Sequence, residues 1–156
     1  MDKNGKFKVL IRPFEMGDLP ALPAIERESR SDPWPESLFA ESMTGDDKGC
    51  LIAQVNSQVA GFICWQRVVD EAEVHSLSVA KSFRRRGIAT TLLGAMAENV
   101  SGNGVSVILL EVSDRNMSAL DLYERFGFCR NGVRSGYYPD GSNAILMSKP
   151  LNGEAG

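Results

Sequence analysis

The sequence predicts an α/β (α+β) domain built on a mixed, mostly antiparallel sheet of about seven strands, with a parallel central pair and about four helices. Three observations lead there. Alternating apolar strand patterns fill much of the first half of the chain. A strand–helix–strand succession runs from 72–80 through 88–101 to 105–112. Two short strand patterns then flank Asp140-Gly141 near the end. Strands joined through a helix are parallel neighbours, because a parallel pair cannot be closed by a tight turn.

Element by element, Phe7 to Phe14 alternates as a first strand. Asp18 is placed to cap a helix over 19–30, with Pro20 tolerated in its first turn. Asp32-Pro33-Trp34-Pro35 breaks the chain, and a short helix follows to about Thr44. Cys50–Val55 and Val59–Val68, separated by Asn56-Ser57-Gln58, read as a hairpin. Residues 72–80 form a further strand. In the helix 88–101, Ile88, Leu92, Leu93, Met96 and Val100 fall on one face. Val105–Val112 is nearly continuously apolar, which suits a strand covered on both faces. Asn116 can cap a helix that runs to Phe126 and is stopped by Gly127. The last strands are expected at 128–138 and 143–149.

A chain of 156 residues suits one domain, with a core over about 7–151 and frayed ends at 1–5 and 151–156. Such a domain buries roughly 70% of its unfolded surface. Hydrophobic content of 43% and charged content of 24% are ordinary globular values. The net charge of −3 provides no basic field for nucleic acid, so any anion site must be local. Cys50, Cys64 and Cys129 have no metal-like spacing and sit in apolar runs, and so are expected as small buried hydrophobes in a reducing compartment. No apolar segment follows Met1-Asp2-Lys3-Asn4, and no run reaches membrane-spanning length. A cytoplasmic protein with no membrane association is expected, with a monomer favoured.

The most informative stretch is Arg84-Arg85-Arg86-Gly87-Ile88-Ala89, set between a strand and an amphipathic helix. A glycine-bearing loop opening a helix presents unpartnered N–H groups beside the positive end of the helix dipole, and such places bind phosphate. Three adjacent arginines also read as a solvated charge run. The stretch is neither a P-loop, lacking Lys-Ser or Lys-Thr after the glycine, nor a three-glycine dinucleotide fingerprint.

Other residues stand out for chemistry. Glu111 interrupts an apolar strand near its end, on the side shared by Val107 and Leu109. There it either serves as a base or reaches the rim to pair with an arginine. Tyr123 shares a helical face with Ala119 and Phe126 and reads first as a core tyrosine whose hydroxyl needs a polar partner. Asn116 is most simply a cap, and His75, the single histidine, reads as structural. Trp34 and Tyr137-Tyr138-Pro139 are either core-edge aromatics or a surface for a peptide.

Together these residues resemble the GNAT superfamily of acetyl-CoA-dependent N-acetyltransferases, from about Val9 to Leu151. The likeness is carried by Val74 to Ala89, which matches the family's strand, loop and Arg/Gln-x-x-Gly-x-Gly/Ala motif through Arg84, Gly87 and Ala89. More narrowly the chain resembles the RimI-like branch, which acetylates the N-terminal alanine of a ribosomal protein. That closer likeness rests on Ile108 to Val112, Asn116, Ala119 to Phe128, Asp32 to Pro35 and Tyr137 to Pro139.

The resemblance implies a GNAT fold whose parallel pair splays at its C-terminal end to open the ligand cleft. It implies that Leu77, Ser78 and Val79 offer backbone groups to the acetyl and pantetheine portion of acetyl-CoA. Arg85, Arg86, Gly87, Ile88, Ala89 and Thr90, with Arg84 at the edge, would hold the pyrophosphate. Asn116 would bond to the pantetheine arm, Glu111 would be the general base and Tyr123 the general acid. Trp34, Tyr137 and Tyr138 would flank the acceptor groove. Arg86 departs from the glutamine or lysine frequent in the branch, a small change where backbone groups bind the phosphates. No metal is required.

The implied acceptor is a protein N-terminus, such as that of a ribosomal protein. A lysine or small amine is the alternative within the same chemistry, and a non-catalytic coenzyme A-binding module is the alternative outside it. A mere binder needs neither Glu111 nor Tyr123.

Overall fold

The computed structural model describes residues 8–28, 35–43 and 45–151. Seven strands and four α-helices lie among them, in the order β1 (Val9–Pro13), α1 (Ala21–Arg27), α2 (Glu36–Ser42), β2 (Lys48–Val55), β3 (Gln58–Val68), β4 (Glu71–Val79), α3 (Ile88–Ser101), β5 (Val107–Ser113), α4 (Met117–Phe126), β6 (Cys129–Arg134) and β7 (Ala144–Pro150). The strand order is β1-β2-β3-β4-β5-β7-β6. β4 and β5 run parallel, and the pairs β1–β2, β2–β3, β5–β7 and β6–β7 are antiparallel. This is the mixed sheet with a parallel pair that the strand–helix–strand pattern requires. No helix among the described residues is long and apolar enough to cross a membrane.

The chain divides into two compact units, Met1–Gln66 with His75–Met96, and Arg67–Val74 with Ala97–Gly156. In the first, the β2–β3 hairpin turns on Asn56 and Ser57, both at positive φ (50° and 72°), with Val55 opposite Gln58. Positive φ at both central positions gives a two-residue turn whose twist matches the strands. Leu22 and Ile25 of α1 and Phe39 of α2 pack with Leu19, Ile52, Phe62 and Cys64. Phe39 meets Phe62 edge-on, with ring centroids 5.6 Å apart. This cluster seats both short helices on the sheet.

Asp18 does not cap a helix starting at residue 19. It closes a 3-10 turn over Met16–Asp18, and α1 begins only at Ala21, after Pro20. The carboxylate is occupied elsewhere: Arg12 donates from both terminal nitrogens at 2.8 Å, and the Glu15 N–H donates at 2.8 Å. Pro20, at φ −62°, supplies helical backbone geometry without a side-chain cap. The first strand and first helix are described from residue 8 and up to residue 28, so Phe7, Ser29 and Arg30 lie outside the described residues, as do Asp32, Pro33, Trp34 and Thr44.

In the second unit the parallel ladder pairs Glu71, Ala72 and Glu73 with Val107, Ile108 and Leu109, and stops there, although β4 continues to Val79 and β5 to Ser113. Along β5, Ile108, Leu110 and Val112 are buried, whereas Val107, Leu109 and Glu111 are half-buried. The strand is thus fully covered on one face only, not on both. β6 ends at Arg134, short of residue 138, because the chain turns at Ser135-Gly136 and the Gly136 N–H donates to Asn143 Oδ1 (2.8 Å). Cys64 is buried and Cys50 half-buried, but Cys129 is exposed, on the edge strand β6. Burial pushes the Cys50 thiol up to about 12, so it stays protonated and unreactive at neutral pH.

The Arg12 guanidinium holds the Asp18 carboxyl below its ordinary value, against the opposing effect of burial. A depressed folded-state value contributes stability that is full above the unfolded value of about 3.9 and is lost as pH falls through the folded one. Asp18→Asn should therefore cost about 1.5–3 kcal/mol at pH 7, the range for a charge-assisted hydrogen-bonded group. Urea unfolding at descending pH should show the difference from wild type shrinking in acid. A difference that stays constant with pH would place its origin outside the ion pair.

Candidate active site

In the first unit the site begins where β4 runs out. Ser76 and Ser78 point into the core, while Leu77 and Val79 stand half-buried on the opposite side. Ser76 Oγ donates to the fully buried carboxylate of Glu26 on α1 (2.6 Å), which anchors this end of the strand. A 3-10 turn over Lys81–Phe83 follows, and Arg84 folds back so that its Nε donates to the Val79 carbonyl (3.1 Å).

The loop then adopts a conformation that few side chains tolerate. Arg85 lies at φ 65° and Gly87 at φ 76°. Left-handed residues in such a loop turn successive N–H groups to one side, making a concavity suited to anions. The first α-helical bond of α3 runs from Thr91 N–H to the Gly87 carbonyl (3.0 Å), and the Thr91 hydroxyl donates to the same oxygen (2.9 Å). The N–H groups of Ile88, Ala89 and Thr90 precede that bond and have no carbonyl of α3 to meet. No acidic side chain stands in the first turn to compete with an anion. Arg84, Arg85 and Arg86 are all exposed, and the Arg86 guanidinium lies 5.7 Å from the centre of the Phe83 ring. The arginines are exposed, as a charge run is, and the backbone beneath them is left-handed at Arg85 and Gly87.

The second unit holds the other sequence-predicted residues. Asn116 caps α4: its Oδ1 accepts from the Ala119 N–H and the Ser118 hydroxyl, both at 3.2 Å. Gly127, at φ 112°, ends the helix, and the Phe128 N–H returns to the Tyr123 carbonyl (2.9 Å). That return folds Phe128 against Tyr123, edge-on at 5.6 Å. Tyr123 is buried, and burial, followed by the nearby Tyr138, raises its hydroxyl above the ordinary tyrosine value.

Glu111 is 28% exposed and lies 3.4 Å from Nη2 of Arg134, at the end of β6. The rim pairing expected as one alternative is therefore present. The Arg134 guanidinium also lies over the Tyr137 ring at 5.5 Å, and Tyr137 meets Tyr138 edge-on at 5.1 Å. Tyr137 is half exposed and Tyr138 half-buried. On β4, Glu73 is exposed and His75 half-buried, on the side shared with Leu77. Trp34 lies outside the described residues.

Sequence reading missed two features. Arg134 gave no signal, because its meeting with Glu111 depends on the order β5-β7-β6. The other is a polar chain in which Ser113 Oγ donates to Ser142 Oγ (2.8 Å) and Ser142 Oγ donates to Asp140 (2.6 Å). Bonds from Ser142 hold the Asp140 carboxyl below its ordinary value. Asp140-Gly141-Ser142 could have been read as an Asx turn from sequence; its link to Ser113 could not.

Residues 18–128 match the Acetyltransferase (GNAT) family. The chain is 34% identical to the [Ribosomal protein bS18]-alanine N-acetyltransferase of Escherichia coli (strain K12) over 145 residues, covering 91% of this chain and 97% of that one. It is 32% identical to an N-alpha-acetyltransferase of Saccharolobus solfataricus, covering 96% of each. The crystal structure of the ribosomal-protein-S18-alanine N-acetyltransferase from Escherichia coli shares its fold with a TM-score of 0.86 at 33% identity, over 92% of this chain and 94% of that one.

Acetyl-CoA should raise the melting temperature, since a ligand selective for the folded state adds about 2.7 kcal/mol at one hundred times its Kd. Gly87→Val should lose that shift: the side chain would project from the loop, and a β-branched residue is strained at positive φ. The quantity to compare is the ligand-induced shift in each protein, not the melting temperature itself. An unshifted wild type at millimolar acetyl-CoA would remove the phosphate-loop reading.

Proposed function

The chain belongs to the acetyltransferase (GNAT) family and is an acetyl-CoA-dependent N-acetyltransferase, and we propose that its acceptor is the free N-terminal amine of a protein, with the N-terminal alanine of a ribosomal protein as the substrate that fits best. The observation that carries this reading is the near full-length likeness to the bS18-alanine enzyme, at 34% identity.

In this reading Arg84 to Thr90 hold the pyrophosphate, Leu77 to Val79 offer backbone groups to the acetyl and pantetheine portion, and Asn116 bonds to the pantetheine arm. The amine nitrogen attacks the thioester carbonyl, a C–N bond forms and the C–S bond breaks. A free α-amino group titrates near 8, against about 10.4 for lysine, so little base strength is needed to neutralise it. Glu111, half-buried near the end of β5, takes the amine proton directly or through a water. The leaving thiolate has a parent value near 8.5 and accepts a proton from Tyr123. Burial raises that hydroxyl above its ordinary value, which keeps it protonated at working pH but makes it a weaker acid, so its proton moves only as the C–S bond breaks and charge develops on sulfur. Backbone N–H groups stabilise the oxyanion that forms as the amine attacks. Tyr137 and Tyr138, with Trp34, form the aromatic walls that admit an extended peptide end.

Glu111→Gln keeps the shape and removes the base, so turnover should fall roughly 10²- to 10⁴-fold if proton removal limits the rate. The loss should shrink as pH rises toward the amine's own value, because the acceptor then arrives already neutral. Tyr123→Phe should slow turnover with less effect on acetyl-CoA binding. Steady-state release of coenzyme A across pH measures both. Normal turnover by Glu111→Gln at neutral pH would pass the role to Glu73 or His75.

The acidic chain, at net charge −3, favours basic acceptors through a long-range attraction that salt weakens. A peptide with a free N-terminal alanine followed by basic residues should be acetylated, and blocking that amine should abolish the reaction. Mass spectrometry locates the added group. An acetyl found on a lysine side chain with the N-terminus left free would replace this reading with the lysine alternative.

A further inference from the structure

Arg134 takes no part in the chemistry above, yet it makes the contact that holds the proposed base. We propose that Arg134 is a positioning residue that orients the Glu111 carboxylate for proton removal and ties that orientation to the Tyr137-Tyr138 segment. The inference rests on the assignment of Glu111 as general base.

The sheet brings the two together through one intervening strand. In register, Ala144 of β7 lies opposite both Ser113 of β5 and Arg134 of β6, while Leu146 lies opposite both Glu111 and Gly132. Arg134 must therefore cross about two strand spacings, roughly 9.6 Å, to reach Glu111. It passes beside a position that carries only a methyl group, with no side chain at Gly132 to obstruct it. The guanidinium then lies between two partners, Glu111 Oε1 at 3.4 Å and the Tyr137 ring at 5.5 Å. A planar guanidinium can stack on a ring and face a carboxylate at once, which an ammonium cannot do equally well.

The distance suits a base that must remain usable. Charge-assisted hydrogen bonds run at about 2.7–2.9 Å, and a carboxylate held in a two-bond fork has a lone pair on each oxygen committed and is the weaker base for it. At 3.4 Å the cation orients the carboxylate while leaving it able to accept a proton. From Tyr137 the contacts pass edge-on to Tyr138. The segment that carries Arg134 thus touches the proposed base and the two tyrosines that follow it.

Arg134→Met keeps an apolar stem and removes the cation, and Arg134→Lys restores the charge without the planar fork. Because the pair is half exposed it adds little to stability, so both variants should melt near the wild-type temperature. Arg134→Met should lower kcat about tenfold, within the roughly 10²-fold that misplacing a reacting group by 1 Å can cost, and leave the KM for acetyl-CoA unchanged. Arg134→Lys should recover part of that loss. The deciding comparison repeats Arg134→Met in the Glu111→Gln background, where no further loss is expected, since a residue acting through Glu111 has nothing left to position. The same tenfold loss in that background, with Glu111→Gln itself slow, overturns the positioning role and leaves the base assignment standing. Wild-type rates for both single variants overturn the base assignment and the positioning role together.

Discussion

The parallel pairing of β4 with β5 is the constraint on which the rest of the structure depends. Antiparallel neighbours can be joined by two residues, as β2 and β3 are through Asn56-Ser57. Parallel neighbours cannot, so the chain leaving Val79 must travel back before it enters Val107. α3 makes that return, and its start must therefore follow closely on the end of β4. The short link from Val79 to Ile88 is where the exposed arginines and the two left-handed residues fall, directly before the first N–H groups of α3. The position and backbone form of this loop are thus a consequence of topology before they are one of side chains. The three arginines add charge to a loop whose backbone is left-handed at Arg85 and Gly87.

Beyond β5 a different logic applies. The strand ends by passing into the Asn116 cap, and Ser113 is tied through Ser142 to Asp140, so the start of α4 and the β6–β7 segment are bound by hydrogen bonds. Along the same strand Glu111 is paired with Arg134 and, through it, with the two tyrosines. These contacts are partly exposed, and exposed ion pairs contribute little to folding stability. Their effect is geometric: they fix where a carboxylate and two hydroxyl-bearing rings stand relative to one another. Stability resides instead in groups such as Leu22, Phe39, Phe62, Leu92, Leu93 and Ile108, all fully buried.

How much of this was legible in the sequence follows from the range of each interaction. The helix 88–101, the Asn116 cap, the Gly127 stop and the Asn56 hairpin depend on residues a few positions apart, and the sequence reading matches them. Asp18 misled because its partner, Arg12, lies on a strand, and a carboxylate claimed by a guanidinium cannot also cap a helix. Cys129 misled because an apolar neighbourhood in sequence does not reveal that its strand lies at the sheet edge. β5 misled because its apolar run hides a strict alternation between a buried and a half-buried face. Glu111 left two readings open, and the structure supplies the ion pair while the chemistry still asks for a base. Arg134 was invisible because its contact with Glu111 exists only once β7 has been placed between β5 and β6.

In the proposed reaction acetyl-CoA and a protein N-terminus meet in one ternary complex and react directly. A conjugate in which coenzyme A is joined to the α-amine of an alanine-led peptide mimics that encounter, as does a second conjugate joined through a lysine side chain. Titration calorimetry of both against the protein, with coenzyme A alone as reference, gives the comparison. The α-amine conjugate should bind about tenfold or more tighter than coenzyme A, because one molecule then carries cofactor and acceptor together, and the lysine conjugate should gain far less. Tighter binding of the lysine conjugate, or no gain for either over coenzyme A, would contradict the proposed reaction.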